Sequence, residues 1–196
     1  MSFLSLNGDE AKRMFLDLKE TETTAPAEIY EKTRNYSLRF LYTGYFSWCI
    51  VTDYLLSDIQ KRAHGRVVDI IAGSGFLAKK LRERGVEVDA NGPIQEHYQC
   101  DSHDFGISFR RPPVAIAGDY DTVILSWPPY DNSLAADIWQ AMRPNSTLIY
   151  IGEWKGGCCA DDDFFEDVAP FVEERVKILQ WEHIHDEMVI IKKEYS

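Results

Sequence analysis

Residues 67–76 read Val-Val-Asp-Ile-Ile-Ala-Gly-Ser-Gly-Phe, and residues 86–90 read Val-Glu-Val-Asp-Ala. Val67 to Ile71 is a short run rich in β-branched residues, which predicts a buried strand. Ala72-Gly73-Ser74-Gly75 then makes a turn. Phe76 to Arg84 has helical spacing and is stopped by Gly85, and Val86 to Asp89 is a second short strand. This is a strand–helix–strand unit, whose crossover should be right-handed and whose strands should be parallel.

Downstream the same alternation continues. Residues 91–118 hold Pro93, Pro112 and Pro113, so the third strand is expected to be short and irregular. Asp121 to Ser126 is a strand, Ser133 to Met142 a helix, Thr147 to Gly152 a strand and Asp161 to Val172 a helix with Phe164, Phe165 and Val168 inward. Arg175 to Ile184 and Met188 to Lys192 are β-rich runs separated by His185-Asp186-Glu187, which suits an antiparallel hairpin. The expected fold class is α/β. It has a Rossmann-like sheet, mostly parallel with a C-terminal antiparallel hairpin, and helices on both faces.

Upstream the texture is helical. Residues 9–19 place Met14, Phe15 and Leu18 on one face, 21–28 read as a linker with Pro26 at a helix start, and 27–42 look helical again. Thr52 caps a further helix carrying Leu55, Leu56 and Ile59, which Gly65 ends. The chain thus divides into an N-terminal helical extension or lid at 1–64 and a Rossmann-like domain at 65–196.

Composition narrows the function. With 196 residues, 45% of them hydrophobic, the chain can bury a core without disulfides. Cys49, Cys100, Cys158 and Cys159 include an adjacent pair, poor geometry for bridges, and residues 1–19 carry charges where a signal peptide would be apolar. A reducing, cytoplasmic setting without a membrane span is expected. The net charge of −11 disfavours long duplex nucleic acid as a partner. Lys79, Lys80, Arg82 and Arg84 read as a solvated helix face, and oligomeric state is not encoded in any recognisable pattern.

Ligands of such sheets sit outside the carboxyl ends of the strands. Gly73 and Gly75 bare the backbone there, and Ala72 and Ser74 complete the turn. Asp69 closes the first strand, where it can bind an ammonium group; Asp89 closes the second, where it can accept two ribose hydroxyls. Gly73-Ser74-Gly75-Phe76-Leu77-Ala78 also matches the GxGxxA dinucleotide pattern, so an NAD(P)-linked oxidoreductase is an alternative. Asp69 would repel a pyrophosphate, and Asp89 follows Gly73 by only sixteen residues, slightly early for NAD. S-adenosyl-L-methionine is therefore the expected cofactor.

Ser126-Trp127-Pro128-Pro129-Tyr130 follows the fourth predicted strand. It resembles the (Asp/Asn/Ser)-Pro-Pro-(Tyr/Phe/Trp) motif of methyltransferases that act on amino groups, and the AGSG turn resembles their first motif. Here Trp127 directly precedes the prolines and Ser126 stands one place back. Residues 46–59, 67–81, 123–139 and 148–166 together resemble a little-characterised group of class I methyltransferase-like proteins. That resemblance implies the fold and the cofactor. Ile71 departs from it, standing where many class I enzymes place a glycine.

The reading is an S-adenosylmethionine-dependent methyltransferase whose acceptor is a small molecule, a protein side chain or a nucleobase amine. Asp69, Ala72, Gly73, Ser74, Gly75, Asp89 and Ser126 are the expected cofactor residues. Ser126, Tyr130, Asp131 and Glu153 form the expected acceptor side, Glu153 orienting the acceptor or acting as a base. Gly156-Gly157 reads as a loop that gates the pocket, and Asp161 as a helix cap. Asp101, His103 and Asp104 are candidates for the adenine contact, and Tyr42, Tyr45, Phe46 and Trp48 for an aromatic lid. Cys158, Cys159, Asp161, His183 and His185 lack metal-ligand spacing, so no metal is expected. A second reading is a catalytically silent S-adenosylmethionine-binding regulatory or scaffold protein, motivated by the displaced Ser126.

Overall fold

The computed structural model describes residues 8–26, 29, 36–93 and 103–194. Three helices come first: α1 (Gly8–Thr21), α2 (Tyr36–Tyr45) and α3 (Asp53–Arg62). Then follow β1 (Val67–Asp69), α4 (Phe76–Glu83), β2 (Val88–Ala90) and a short α5 (Pro113–Ile116) with a 3-10 turn at Ala117–Asp119. The chain continues with β3 (Thr122–Ser126), α6 (Leu134–Ala141), β4 (Thr147–Glu153), α7 (Asp162–Val168), β5 (Val172–Lys177) and β6 (Asp186–Lys192).

The six strands lie in the order β2-β1-β3-β4-β6-β5. The pairs β1/β2, β1/β3 and β3/β4 are parallel, while β6 runs antiparallel to both β4 and β5. Strand alternation separates two cores. Val67, Ile124, Ile149, Ile151 and Ile190 pack on the side of α1 to α4; Val68, Val123, Leu125, Leu148 and Val189 pack on the side of α5, α6 and α7. All seven residues of β4 are buried, because helices cover both of its faces.

Local chemistry sets the helix ends. Thr52 Oγ1 accepts from Leu55 N at 3.1 Å and Asp161 Oδ1 accepts from Phe164 N at 3.0 Å, as N-caps do. Leu55, Leu56 and Ile59 are buried on α3, and Phe164, Phe165 and Val168 on α7, as their spacing predicts.

Several expected boundaries move. Among the described residues between 91 and 118 no third strand forms, and one parallel bridge, Asn91 to Phe109, takes its place. The side chain of Asn91 explains this: it donates to Ile70 O and Arg111 O and accepts from Arg111 N, so side-chain bonds substitute for a ladder. Asp186 and Glu187, expected in the hairpin connection, belong to β6, where Asp186 pairs with Glu153. Half of the predicted helix 27–42 lies outside the described residues, and 36–42 belong to α2, which continues to Tyr45. Cys100 and Asp101 also lie outside them. Among the described residues no helix is long and apolar enough to cross a membrane.

Candidate functional site

The strand order changes direction between β1 and β3, since β2 lies to one side of β1 and β3 and β4 to the other. Such a switch point leaves a crevice at the carboxyl ends of the strands. A cavity of about 460 Å³ lies there, lined by Asp69 to Ser74 after β1, by Ser126 and Trp127 after β3, and by Thr43 to Trp48 from the lid. Its size falls within the roughly 300–1,000 Å³ of small-molecule sites.

The glycine turn forms one wall. Gly75 sits at φ +82 as the N-cap of α4, a conformation open to glycine, and a Cβ there would crowd Ile107 Cδ1 at 3.0 Å. Gly73, at φ +55, has nothing within 4 Å of where a Cβ would lie. The backbone at Gly73 therefore presents an open surface. Ser74 ties this turn to the lid: its hydroxyl donates to Phe46 O and accepts from Phe76 N at 3.2 Å.

Asp69 is the one carboxylate among the described residues of the cavity wall. It is 1% exposed, and its Oδ1 has no hydrogen-bond partner within the protein. Burial pushes its carboxyl up to about 7, against a weaker opposing pull from Arg82. A buried, unpartnered carboxylate at the edge of a cavity is a vacancy for a cation or a strong donor.

The lid is aromatic. Phe46 is held among Phe15, Tyr42, Tyr45, Phe76 and Phe105. Tyr42 is buried and accepts from Val51 N at 3.1 Å, a core role. Tyr45 and Phe46 line the cavity, with Lys19 over the Tyr45 ring and His103 stacked on it. At the other end Trp48 stacks on Trp127, with ring centroids 5.3 Å apart and 22° between planes.

The structure thus brings together Asp69, Ala72, Gly73, Ser74 and Ser126 in the cavity wall, with Gly75 directly behind. It does not bring Asp89 there. Asp69 pairs with Ala90 across the sheet, so Asp89, one residue earlier, points to the opposite face. Its carboxylate accepts from Tyr120 Oη at 2.8 Å, and burial, aided by this bond, lifts the phenol to about 12. Asp89, expected beside a ribose, is thus absent from the cavity lining. His103 and Asp104 also lie off the cavity, and Asp104 caps its own loop by accepting from Gly106 N and Ile107 N.

Three expected acceptor-side residues stand elsewhere as well. Tyr130 is 59% exposed and Asp131 is exposed, both outside the cavity. Glu153 is buried, and its carboxylate is engaged: Oε2 accepts from Cys158 N at 2.9 Å and Oε1 from His185 N at 3.2 Å. It fastens the 154–158 loop to the sheet, so the loop read as a gate is tied down on this side. Among the described residues no group of three or more His, Cys, Asp or Glu is placed to hold a metal.

Sequence reasoning passed over Asp186. It is 2% exposed with both carboxylate oxygens unpartnered, and burial pushes it up to about 7. The Trp127 indole N–H stands beside it and draws it down, without closing to a hydrogen bond. No local signal marks this residue, because its burial comes from the pairing of β6 with β4.

These two acids set a pH dependence. Both titrate higher folded than unfolded, from 3.8 to about 7, so the folded state binds more protons between those values. Stability without ligand should be greatest near pH 4 and fall as pH rises towards 7, by up to ~1.4 kcal/mol per pH unit for each group. Carboxylates held low by basic partners or backbone donors, such as Asp58 and Asp104, act only below their ordinary range, on the acid side of that window. Thermal unfolding from pH 5 to 8 checks this: the midpoint should decline in the native chain and stay level in the Asp69→Asn, Asp186→Asn double variant.

No protein-family model matches the chain, and no curated protein matches its sequence. Solved structures do match its fold. An O-methyltransferase family protein from Burkholderia thailandensis is 12% identical over 96% of this chain and 72% of its own, with a TM-score of 0.52. An MtNAS variant in complex with S-adenosylmethionine is 14% identical over 93% of this chain and 73% of its own, with a TM-score of 0.50. At these identities the likeness is one of fold: a Rossmann-like α/β sheet with a C-terminal antiparallel hairpin.

Proposed function

We propose that the chain binds S-adenosylmethionine in the cavity at the β1/β3 switch point and transfers its methyl group to an acceptor admitted beside Trp48 and Trp127. The observation that carries this is the buried, unpartnered Asp69 carboxylate in the wall beside the open backbone of Gly73. The residues fit such a ligand: Asp69 would hold the ammonium group, the Gly73 turn would allow close approach, and Ile71, Leu77 and Pro93 offer apolar walls. The fold likeness to an O-methyltransferase family protein, and to an MtNAS variant solved with S-adenosylmethionine, supports the reading.

When bound, the sulfonium supplies an activated methyl group. The protein's part is orientation. Ser126 Oγ reaches the cavity and donates to Cys49 Sγ at 3.7 Å, which leaves its lone pairs available to an acceptor hydrogen. The aromatic lid shields the site from water. In-line transfer of this kind needs positioning more than an acid–base residue.

A dinucleotide fits less well. Its pyrophosphate would meet Asp69 and, among the described residues, no Lys, Arg or His side chain in the cavity wall. The catalytically silent alternative draws on a separate observation, the absence of Tyr130, Asp131 and Glu153 from the cavity. Calorimetric titration separates these readings. S-adenosylhomocysteine should bind with micromolar affinity and NAD should not. Labelled S-adenosylmethionine incubated with a cell extract should then yield a methylated product; tight binding without any transfer would favour the silent reading, and binding of NAD instead would sink the proposal.

A further inference from the structure

Beyond the glycine turn the cavity has a second end, made by Ser47, Trp48, Ser126, Trp127 and Pro129. Two hydroxyls and a stacked pair of indoles are the fittings of a site for a flat molecule. Trp48 is 47% exposed, so part of its surface is open to an incoming group. Trp127 is fixed: its backbone sits at φ +53, its N–H donates to Ile151 O at 2.8 Å, and its indole abuts Asp186. Such strain in a non-glycine residue persists where the surroundings over-determine it.

The charge around this end is mainly negative. Among the described residues no Lys, Arg or His side chain lines the cavity. By register, Asp69, Ser126 and Asp186 all project to the lid side of the sheet, with Asp186 behind the Trp127 ring. The groups facing Asp186 are Glu153, Tyr150 and Cys159 from the sheet side and Cys49 and Arg39 from the helical side. Arg39 is the one cation among them, against two buried acids.

On the premise of the reading above, we propose that this end is the acceptor subsite, that it takes a planar group that is neutral or cationic and rejects anions, and that Asp186 sets that charge preference from behind the Trp127 wall. Once a ligand's ammonium group neutralises Asp69, Asp186, opposed by Arg39 and the Trp127 N–H, is the acid that remains behind this end.

Three planar probes of one shape and different charge test this: benzamidine, benzamide and benzoate. Each is titrated against the full chain at pH 8.5 with saturating S-adenosylhomocysteine, following tryptophan fluorescence. Benzamidine should bind at least ~30-fold more tightly than benzoate, with benzamide between them, and Asp186→Asn should bring the three within about threefold. The S-adenosylhomocysteine affinity of that variant reports whether it is folded. Trp48→Ala supplies a second arm: it should weaken all three probes together and keep their ratio. Benzoate binding as tightly as benzamidine, an unchanged ratio in Asp186→Asn, or probe affinities untouched by Trp48→Ala would each overturn the subsite. If S-adenosylhomocysteine does not bind, the cofactor reading fails by itself. The same series on Asp69→Asn without cofactor then still reads the charge preference of this end.

Discussion

Asp69→Asn should weaken S-adenosylhomocysteine binding by ~30- to 150-fold, the equivalent of ~2–3 kcal/mol for one charge-assisted contact. The size of the effect follows from burial. Asp69 is 1% exposed and its Oδ1 has no partner in the protein, so a ligand ammonium would be its counter-charge in a place water does not screen. A second signature accompanies the first. With the carboxyl pushed up to about 7, ligand binding must release a proton at lower pH. Affinity in the native chain should therefore rise up to ~10-fold per pH unit below 7 and level off above it. In Asp69→Asn that slope should be absent. A variant that binds as well as the native chain, with the same slope, would remove the anchor of the cofactor site.

Glu153→Ala should lower stability by ~2–4 kcal/mol, because it takes the acceptor from two part-buried backbone donors and leaves the space of a buried side chain empty. For a chain of this length that corresponds to a fall in melting midpoint of roughly 4–16 °C. The donors are Cys158 N and His185 N, which anchor two separate loops on one carboxylate. Gly157 belongs to the same arrangement. It sits at φ +78, and a Cβ there would overlap Glu153 Oε2, so the loop closes over the carboxylate only with glycine at that place. A catalytic base would behave differently. Glu153→Gln would then abolish methyl transfer at an unchanged melting midpoint, whereas a loop fastener loses stability first. Differential scanning calorimetry of both variants decides between them, and a midpoint within about 2 °C of the native value in Glu153→Ala would sink the structural role.

The two results meet in the upper edge of the sheet. Asp69, Ser126, Glu153 and Asp186 all end strands or begin them on the lid side, yet they do different things. Asp69 and Ser126 open onto the cavity, Glu153 turns to the loops, and Asp186 backs the aromatic wall.

Local sequence was enough for the fold. Strand and helix periods, glycine stops and caps such as Thr52 and Asp161 act over a few residues, and the alternation of β1, α4, β2, β3, α6 and β4 follows from them. The glycine turn was legible for the same reason: Gly73 and Gly75 after an apolar run restrict the backbone by themselves. Where a side chain goes was another matter. The period-2 alternation sends Asp89 away from Asp69, and the phenol of Tyr120, thirty-one residues further on, accounts for its carboxylate. Glu153 looked free because its partners, Cys158 N and His185 N, come from two later loops. Asp186 looked like a turn residue until β6 paired with β4 and buried it. Residue types and spacing determine backbone conformation and which face of an element is apolar; burial, hydrogen-bond partners and charge balance depend on segments distant in sequence, and only tertiary packing brings those together.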